Sequence, residues 1–518
     1  MKYVSVSQMI AIEKEADASG NTYAQMMEYA GRGLAEVVRD AYNQAGSQSA
    51  LGLVGSGNNG GDTLVAFCYL QEWGWQTTAY VVKTRPADDP LVARFLAAGG
   101  TLLELDSDPA YEKLATALEN FAVLLDGVFG TGIRLPLRGS AAATLDFVRI
   151  RLAEMQSPPR VIAVDCPSGV DCDTGEAAPE TIPAEITVTM AAIKQGLLKF
   201  SAFNFVGDLR MVGIGLPAGL PAYDGLLREV VEAAWVRRTL PARPLDGHKG
   251  TFGTVLVVGG SLNYSGAVLL AGEAAFRSGA GWVTLAVPAP LHAALASAFV
   301  EATWLLLPHE DGFIAAEAAE IVCANLDKPT ALLLGPGFGT RETSQNFIAG
   351  LLSDGQNLPS MVVDADGLKL LAQLPFWWDQ LPAPAVLTPH PGEMAILTGL
   401  TAAEIQSNRL EIAEKFARQW GHVVVLKGAF TLIAAPDGRT AVISVATPAL
   451  GRAGTGDVLA GLIAGLRAQG LEAFEAAAAG AWIHAQAGLQ AAAVMGSTAT
   501  VLAGDVLAAL VDVFANLE

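Results

Sequence analysis

The chain has 518 residues, more than a single hydrophobic core organises, so at least two domains are expected. Hydrophobic residues make up 52% and charged ones 16%, which suits large cores and argues against long disordered stretches. The formal net charge of −20 argues against nucleic acid, whose phosphates need clustered Lys and Arg; an anionic ligand would need local positive features such as helix N-termini, lysines or a metal ion.

The opening stretch, "MKYVSVSQMIAIEKEADASG", alternates acids with apolar residues and lacks a signal-peptide core. Cys68, Cys166, Cys172 and Cys323 show no metal-ligand spacing and are expected to stay reduced, so a cytoplasmic protein is expected. Short β-rich runs then alternate with helical ones: "SALGLVGSG", "TTAYVVK", "FAVLLDGVFG", "RVIAVDCPSG" and "EITVTM". This is the βαβ pattern of a parallel sheet covered on both faces. The pattern stops near Leu216, and the Pro- and Gly-rich residues 217–245 are expected to form a linker between domains 1–216 and 246–518. A second βα series follows, from "GTVLVVGGS" through "GWVTLAVP", "ALLLGPGFG", "MVVDADGL" and "AVLTPHPGE" to "VVVLKGAFTLIAAPDG". The uncharged run from Ala476 to Gly504 is long enough to span a membrane, but its His484, Gln486, Gln490 and many Ala and Gly predict a buried element instead.

In the first half, Gly55-x-Gly57-x-x-Gly60 follows a strand and opens a helix, which formally fits a dinucleotide fingerprint. The next strand, however, ends in Lys83 and Arg85, with no acid for a ribose 2′-hydroxyl. The polar run Asn58, Asn59, Gly60, Gly61 and Asp62 offers two amides and a carboxylate, more than a bare pyrophosphate loop needs, and points to cation ligation or hydrogen bonding to a polar ligand. Asp126 and Asp165 stand at two other strand ends, where an open parallel sheet gathers its ligands. Asn59, Asp126 and Ser168 can share one ion while Asp165 faces a substrate, the alternative for each acid being a loop cap.

In the second half, "GRAGTGDVLAGLIAG" reads as a loop entering an apolar helix. Gly454, Thr455 and Gly456 would present unpaired amides to a phosphoryl group, and Asp457 in the same turn makes sense as a base, or else as an ordinary helix cap. "GPGFG" supplies Gly335, Gly337 and Gly339, "LTPHPGE" supplies His390 and Glu393, and "LKGAFTLI" places Lys427 and Thr431 around a hairpin-like turn. A hydrogen-bonded loop histidine and a solvated lysine are the alternatives for His390 and Lys427. No Gly-x-x-x-x-Gly-Lys-Ser/Thr motif occurs, which excludes a P-loop enzyme.

The segments "GSGNNGGDTLVA", "DGVFGTGIRLPL", "VDCPSGVDCDTG" and "AAIKQGLLKF" resemble the NAD(P)H-hydrate epimerase domain. That resemblance implies a Rossmann-like open parallel sheet and substrate contacts from Asn58, Asn59, Gly60, Gly61 and Asp62. It adds contacts from Gly130, Thr131, Gly132, Ile133, Arg134, Leu135 and Pro136. It further implies potassium held by Asn59, Asp126 and Ser168, and Asp165 as substrate contact and proton-transfer group. The family usually carries Gly where this chain has Thr63, a side chain expected to tighten the pocket.

"HKGTFG", "GGSLNYSGA", "GPGFG", "TPHPGE", "KGAFT" and "GTGDVLAGLIAGL" look like the ADP- or ATP-dependent NAD(P)H-hydrate dehydratase domain, of ribokinase-like α/β/α fold. The implied substrate contacts are Ala267, Gly337, His390 and Asp457, with Asp457 catalytic. The implied nucleotide contacts are Lys427, Gly428, Ala429, Phe430, Thr431, Gly454, Thr455 and Gly456. Arg452 is placed to pair with phosphate. Together the resemblances imply repair of hydrated NADH and NADPH by an isomerase and a lyase joined in one chain. ADP or ATP would be the cosubstrate, with Mg²⁺ and a homo-oligomeric assembly expected. The alternative is a ribokinase-type small-molecule kinase with a non-catalytic N-terminal binding module.

Overall fold

A computed structural model describes residues 1–42, 48–353 and 358–518, and divides the chain into two compact units, Met1–Leu226 and Leu227–Glu518. The strands of the first unit's main sheet are β1 (Ser49–Val54), β2 (Gln76–Val81), β3 (Thr101–Glu104), β4 (Val123–Gly127), β5 (Arg160–Val164), β6 (Ile186–Met190) and β7 (Asp208–Val212). They pair in the order 3-2-1-4-5-6-7, every neighbour parallel. The order reverses between β1 and β4, and that switch point opens a crevice at the C-terminal strand ends. β1 and β4 are buried along their whole length, which explains their nearly unbroken apolar runs.

The first residues are tied into the same unit. Tyr3 and Val4 pair in parallel with Ile193 and Lys194. Ser5 then caps the helix Val6–Ala18 in a reciprocal capping box with Gln8.

The second unit has a ten-stranded sheet: β8 (Arg228–Val230), β9 (Thr254–Val258), β10 (Trp282–Pro288), β11 (Thr303–Leu307), β12 (Ala331–Leu334), β13 (Ser360–Val363), β14 (Val386–Leu387), β15 (Val423–Leu426), β16 (Leu432–Ala434) and β17 (Thr440–Val442). Its order is 8-17-16-15-14-13-12-9-10-11, parallel except where β16 runs antiparallel to β15 and β17. The uncharged run 476–504, predicted to be a buried element, lies for the most part in the helix Ala473–Met495, most of whose residues as far as Gly488 are buried in this unit's core. Among the described residues no helix is long and apolar enough to cross a membrane.

Residues 217–245, expected as a linker, are structured over much of their length. The helix Pro221–Asp224 belongs to the first unit, where Ala222 donates its amide to Glu15 at 2.8 Å. β8 forms the edge of the second sheet beside β17, and the helix Ala233–Thr239 is held by Arg237, which donates to the Leu517 and Asn516 carbonyls. The division falls at Leu226/Leu227, and Val230, Val231 and Val236, just beyond it, are buried in the second unit.

The helices Ser265–Arg277 and Thr455–Ala468 pack with their backbones unusually close. A Cβ on Gly461 would lie 2.0 Å from the Ala271 carbonyl oxygen, and one on Gly465 would lie 1.9 Å from Ser278 Oγ. Gly461→Ala is therefore expected to lower the melting temperature, at a cost of about 1–3 kcal/mol that exceeds the helix-propensity gain of alanine. Calorimetry checks this; an unchanged melting temperature would show that the helices separate freely.

Candidate functional sites

In the first unit the Gly55–Gly57 turn leaves β1 and starts the helix Asn58–Glu72, whose N-cap Gly57 carries no side-chain cap. A cavity of about 810 Å³ opens over this turn, lined among others by Glu13, Asn58, Asn59, Asp62, Gly130 and Asp165. Asn59 is buried and its Nδ2 donates to the carbonyls of Val164 and, at 3.2 Å, Phe129. Gly130 has to be glycine here, since a Cβ would stand 2.2 Å from Asn59 Oδ1. Thr131, Gly132 and Ile133 line the same cavity, whereas Arg134, Leu135 and Pro136 continue the loop beyond it.

Asp126, at the end of β4, is fully buried, and burial raises its pKa. Its Oδ2 accepts from the Ser168 amide at 2.8 Å, while Oδ1 is buried with no hydrogen-bond partner. Ser168 Oγ accepts from the Phe129 amide at 2.9 Å and lies 3.4 Å from its carbonyl, the group that Asn59 also reaches. Asn59, Asp126 and Ser168 are thus gathered around one backbone segment.

Asp165 follows β5 in left-handed backbone, φ 64°, which turns its carboxylate back toward β6. Oδ1 accepts from the Met190 amide at 3.0 Å, from Thr189 Oγ1 at 3.3 Å and from the ammonium of Lys194. Lys194 is 1% exposed, and the short pairing with Tyr3–Val4 fixes the strand that carries it. Asp62, at the cavity wall, is pushed well above the usual carboxylate range by burial and by the neighbouring charges of Asp165 and Glu13. Burial likewise raises Glu13, which Lys194 partly offsets. Glu13 and Lys194 were not identified from sequence: their relation to Asp165 depends on pairing the chain's first strand with residue 193, nearly two hundred positions away.

Thr63 does not narrow the cavity. It is buried, donates Oγ1 to the Asn59 carbonyl at 2.8 Å and turns toward the sheet, where Cβ atoms on Gly52 and Gly127 would collide with it. The expected tightening fails because the helical position after Asp62 faces β1 and β4, away from the ligand side.

In the second unit, the helix Thr455–Ala468 starts at Gly454, φ 94°, with no side-chain cap. Asp457 is half-buried in that first turn, and its carboxyl accepts no hydrogen bond among the described residues, so it is not the cap. Burial raises its pKa to about 7, helped by Asp364, Asp366 and Glu393 and opposed by Lys427. Lys427 leaves β15 at the β15–β16 hairpin; its Nζ donates to Asp364 Oδ1 at 2.7 Å and lies 3.8 Å from Glu393 Oε2. A Cβ on Gly456 would meet that ammonium at 3.3 Å, which brings the turn and the lysine together.

Gly428, Ala429 and Phe430 form the hairpin loop; Phe430 has φ 53°, and Thr431 Oγ1 donates to the Gly428 carbonyl at 2.9 Å. His390 caps the helix Pro391–Thr398, its Nδ1 accepting from the amides of Gly392 and Glu393 at 2.9 and 3.2 Å. Burial and Lys427 lower its pKa, so the ring is neutral and its Nε2 lies 3.4 Å from Glu393 Oε1. Gly337, φ 68°, lies against Tyr264 and Ala267 at the start of the helix Ser265–Arg277. Arg452 is exposed and donates to the Ala499 carbonyl. Asp364, buried between Lys427 and Thr388, was passed over in "MVVDADGL" because one acid at a strand end carries no signal of its partners.

Residues 23–196 match the family model described as YjeF-related protein N-terminus, and residues 255–510 match the one described as NAD(P)H-hydrate dehydratase. A bifunctional NAD(P)H-hydrate repair enzyme of Moorella thermoacetica is 39% identical over 95% of this chain and 92% of its own length. The Escherichia coli protein of the same description is 32% identical over 96% and 91%. A crystal structure of an ADP/ATP-dependent NAD(P)H-hydrate dehydratase from Bacillus subtilis, co-crystallized with ATP and Mg²⁺, is 32% identical. It covers 56% of this chain and 99% of that one with a TM-score of 0.48. Two units, each with its own polar strand-end site, and similarity along nearly the whole of such relatives lead to one conclusion: the chain belongs to the family of bifunctional NAD(P)H-hydrate repair enzymes.

Proposed function

We propose that the second unit dehydrates hydrated NADH and NADPH by phosphorylating the C6 hydroxyl, and that the first unit interconverts the two C6 epimers. The observation that carries the first assignment is the free, half-buried carboxyl of Asp457 beside the amide turn Gly454–Gly456 and Lys427. Hydroxide is a poor leaving group. Asp457 takes the hydroxyl proton as the C6 oxygen attacks the terminal phosphoryl of ADP or ATP, the bond from that phosphorus to the bridging oxygen breaks to release AMP or ADP, and the amides of the turn steady the charge in flight. The C6–O bond then breaks, phosphate departs with the electron pair, the ring-nitrogen lone pair assists, and loss of a C5 proton restores the dihydronicotinamide. Lys427 and the Gly428–Thr431 loop face the nucleotide; Ala267, Gly337 and neutral His390 face the hydrate.

Among the described residues no three His, Cys, Asp or Glu side chains gather to hold a metal, and Lys427 occupies the space between Asp364 and Glu393. These side chains do not fit a resident divalent ion, so Mg²⁺ is assigned to the nucleotide phosphates.

In the first unit, Asp165 takes the C6 hydroxyl proton, the C6–N1 bond opens to an aldehyde, and the proton passes to the ring nitrogen. Reclosure on the other face inverts C6. Lys194 keeps the carboxylate oriented, and Asn58 through Asp62 with Gly130 through Ile133 form the walls. The orphaned Asp126 Oδ1 fits a potassium ion, with Ser168 Oγ and the Phe129 carbonyl beside it. Ligation by Asn59 requires its carboxamide to turn over, since Nδ2 now faces the carbonyls. Such an ion supplies positive charge that fixes the Gly130 loop against Asn59.

The test is incubation of the full chain with both epimers of hydrated NADH, ADP or ATP, Mg²⁺ and K⁺. The reduced-nicotinamide absorbance should return for all of the hydrate, and replacing K⁺ by Li⁺ should slow consumption of one epimer only. Accumulation of a stable phosphorylated alcohol without recovered absorbance would overturn the reading.

A further inference from the structure

The cations of the first unit are mostly engaged: Arg94 with Glu28, Arg151 with Glu119, Arg160 with Glu185, Lys194 with Asp165. Two that line its cavity are not. Among the described residues the side chains of Lys83 and Arg138 make neither an ion pair nor a hydrogen bond, in a chain of net charge −20. Lys83 lies just past β2, where a doubly wound dinucleotide domain reads the ribose 2′ substituent, with an acid for a hydroxyl and a cation for a phosphate. Arg85, the other cation of that segment, is occupied elsewhere: Nη1 donates to the Gly55 carbonyl at 2.7 Å and Nε to Asp89 at 2.7 Å. That leaves Lys83 as the reading group. Arg138 precedes the 16-residue helix Gly139–Glu154, whose first turn no side chain caps and whose Gly139 and Ser140 also line the cavity. Two exposed, unpaired cations and an uncapped helix N-terminus thus line one cavity, in which Asp165 is already paired with Lys194.

We propose that Lys83, Arg138 and the first turn of the Gly139–Glu154 helix form an anion subsite that takes the 2′-phosphate of hydrated NADPH. This rests on the epimerase reading of the cavity. The pyrophosphate has the same chemistry, but it is present in both substrates, and that difference separates the two.

Lys83→Ala/Arg138→Ala in the full chain should raise KM for epimerisation of hydrated NADPH about tenfold or more, with kcat kept and KM for hydrated NADH within about twofold. Equal rises for both hydrates would assign these residues to the pyrophosphate and overturn the proposal, as would no rise for either. Calorimetric titration with 2′,5′-ADP and with 5′-AMP, on wild type and double variant, tests the subsite independently of turnover. Only 2′,5′-ADP should lose affinity in the variant, since any adenine-nucleotide binding by the second unit is common to both proteins. Unchanged 2′,5′-ADP affinity overturns the subsite. Absence of epimerisation by the wild type would instead strike the functional reading and leave the titration to decide the subsite.

Discussion

Asp457→Asn should lower kcat for nucleotide-dependent dehydration by about 10²–10⁴-fold, the range removed with a general base. The change keeps shape and removes the one group in the amide turn able to take a proton. Because burial holds Asp457 at a pKa of about 7, the wild-type kcat/KM should climb as pH rises through 7, and the residual activity of the variant should lose that step. Stability moves in the opposite direction. The folded pKa lies above that of an unfolded aspartate, so this group favours folding below the unfolded value and the contribution is lost as pH rises through about 7. Asparagine mimics the protonated form, so the variant should melt at or above the wild-type temperature at pH 8. Retained turnover, or collapse of the fold at every pH, would remove Asp457 from the role of base.

Asp165→Ala should abolish epimerisation and also destabilise the first unit. The substitution strands the Lys194 ammonium, 1% exposed, without its carboxylate, and breaking a buried pair in this way costs about 3–5 kcal/mol. The two effects separate in Asp165→Asn/Lys194→Met, which removes both charges: stability should largely return while epimerisation stays absent. The measurement is the time course of the two resolved epimers of hydrated NADH, followed in parallel with thermal unfolding. A double variant that still interconverts the epimers at the wild-type rate clears Asp165 of proton transfer.

How far the sequence reached can be judged from these two acids. Asp457 was visible because its neighbours in sequence, Gly454 to Gly456, are its neighbours in space: the turn is local. Asp165 was visible as a strand-end acid for the same reason, and the alternation of apolar runs with helices disclosed two α/β units. Lys194, Glu13 and Asp364 were not assigned, because each acquires its partners through strand pairing or helix packing across long separations. The Pro-rich residues 217–245 misled for a related reason. A three-residue edge strand such as β8 has no periodicity of its own and exists only because β17 accepts it. His390, for which a hydrogen-bonded loop histidine was the alternative, holds a helix start together through Nδ1, a bond set by the two amides that follow it in sequence.

Thr63 carries an implication beyond its own position. Its methyl and hydroxyl fill the space that two glycines leave bare, one in β1 and one in β4: a Cβ on Gly52 would come within 2.8 Å of Thr63 Cγ2, and one on Gly127 within 2.1 Å of its Oγ1. The ring of Phe67 closes the rest of the space over Gly52, at 2.7 Å from such a Cβ, and the Asn59 carbonyl stands 3.0 Å from one on Gly127. The helix and the two strands are therefore fitted to one another by more than one side chain, so a chimera that exchanges only one of these segments has to match Phe67 as well as Thr63.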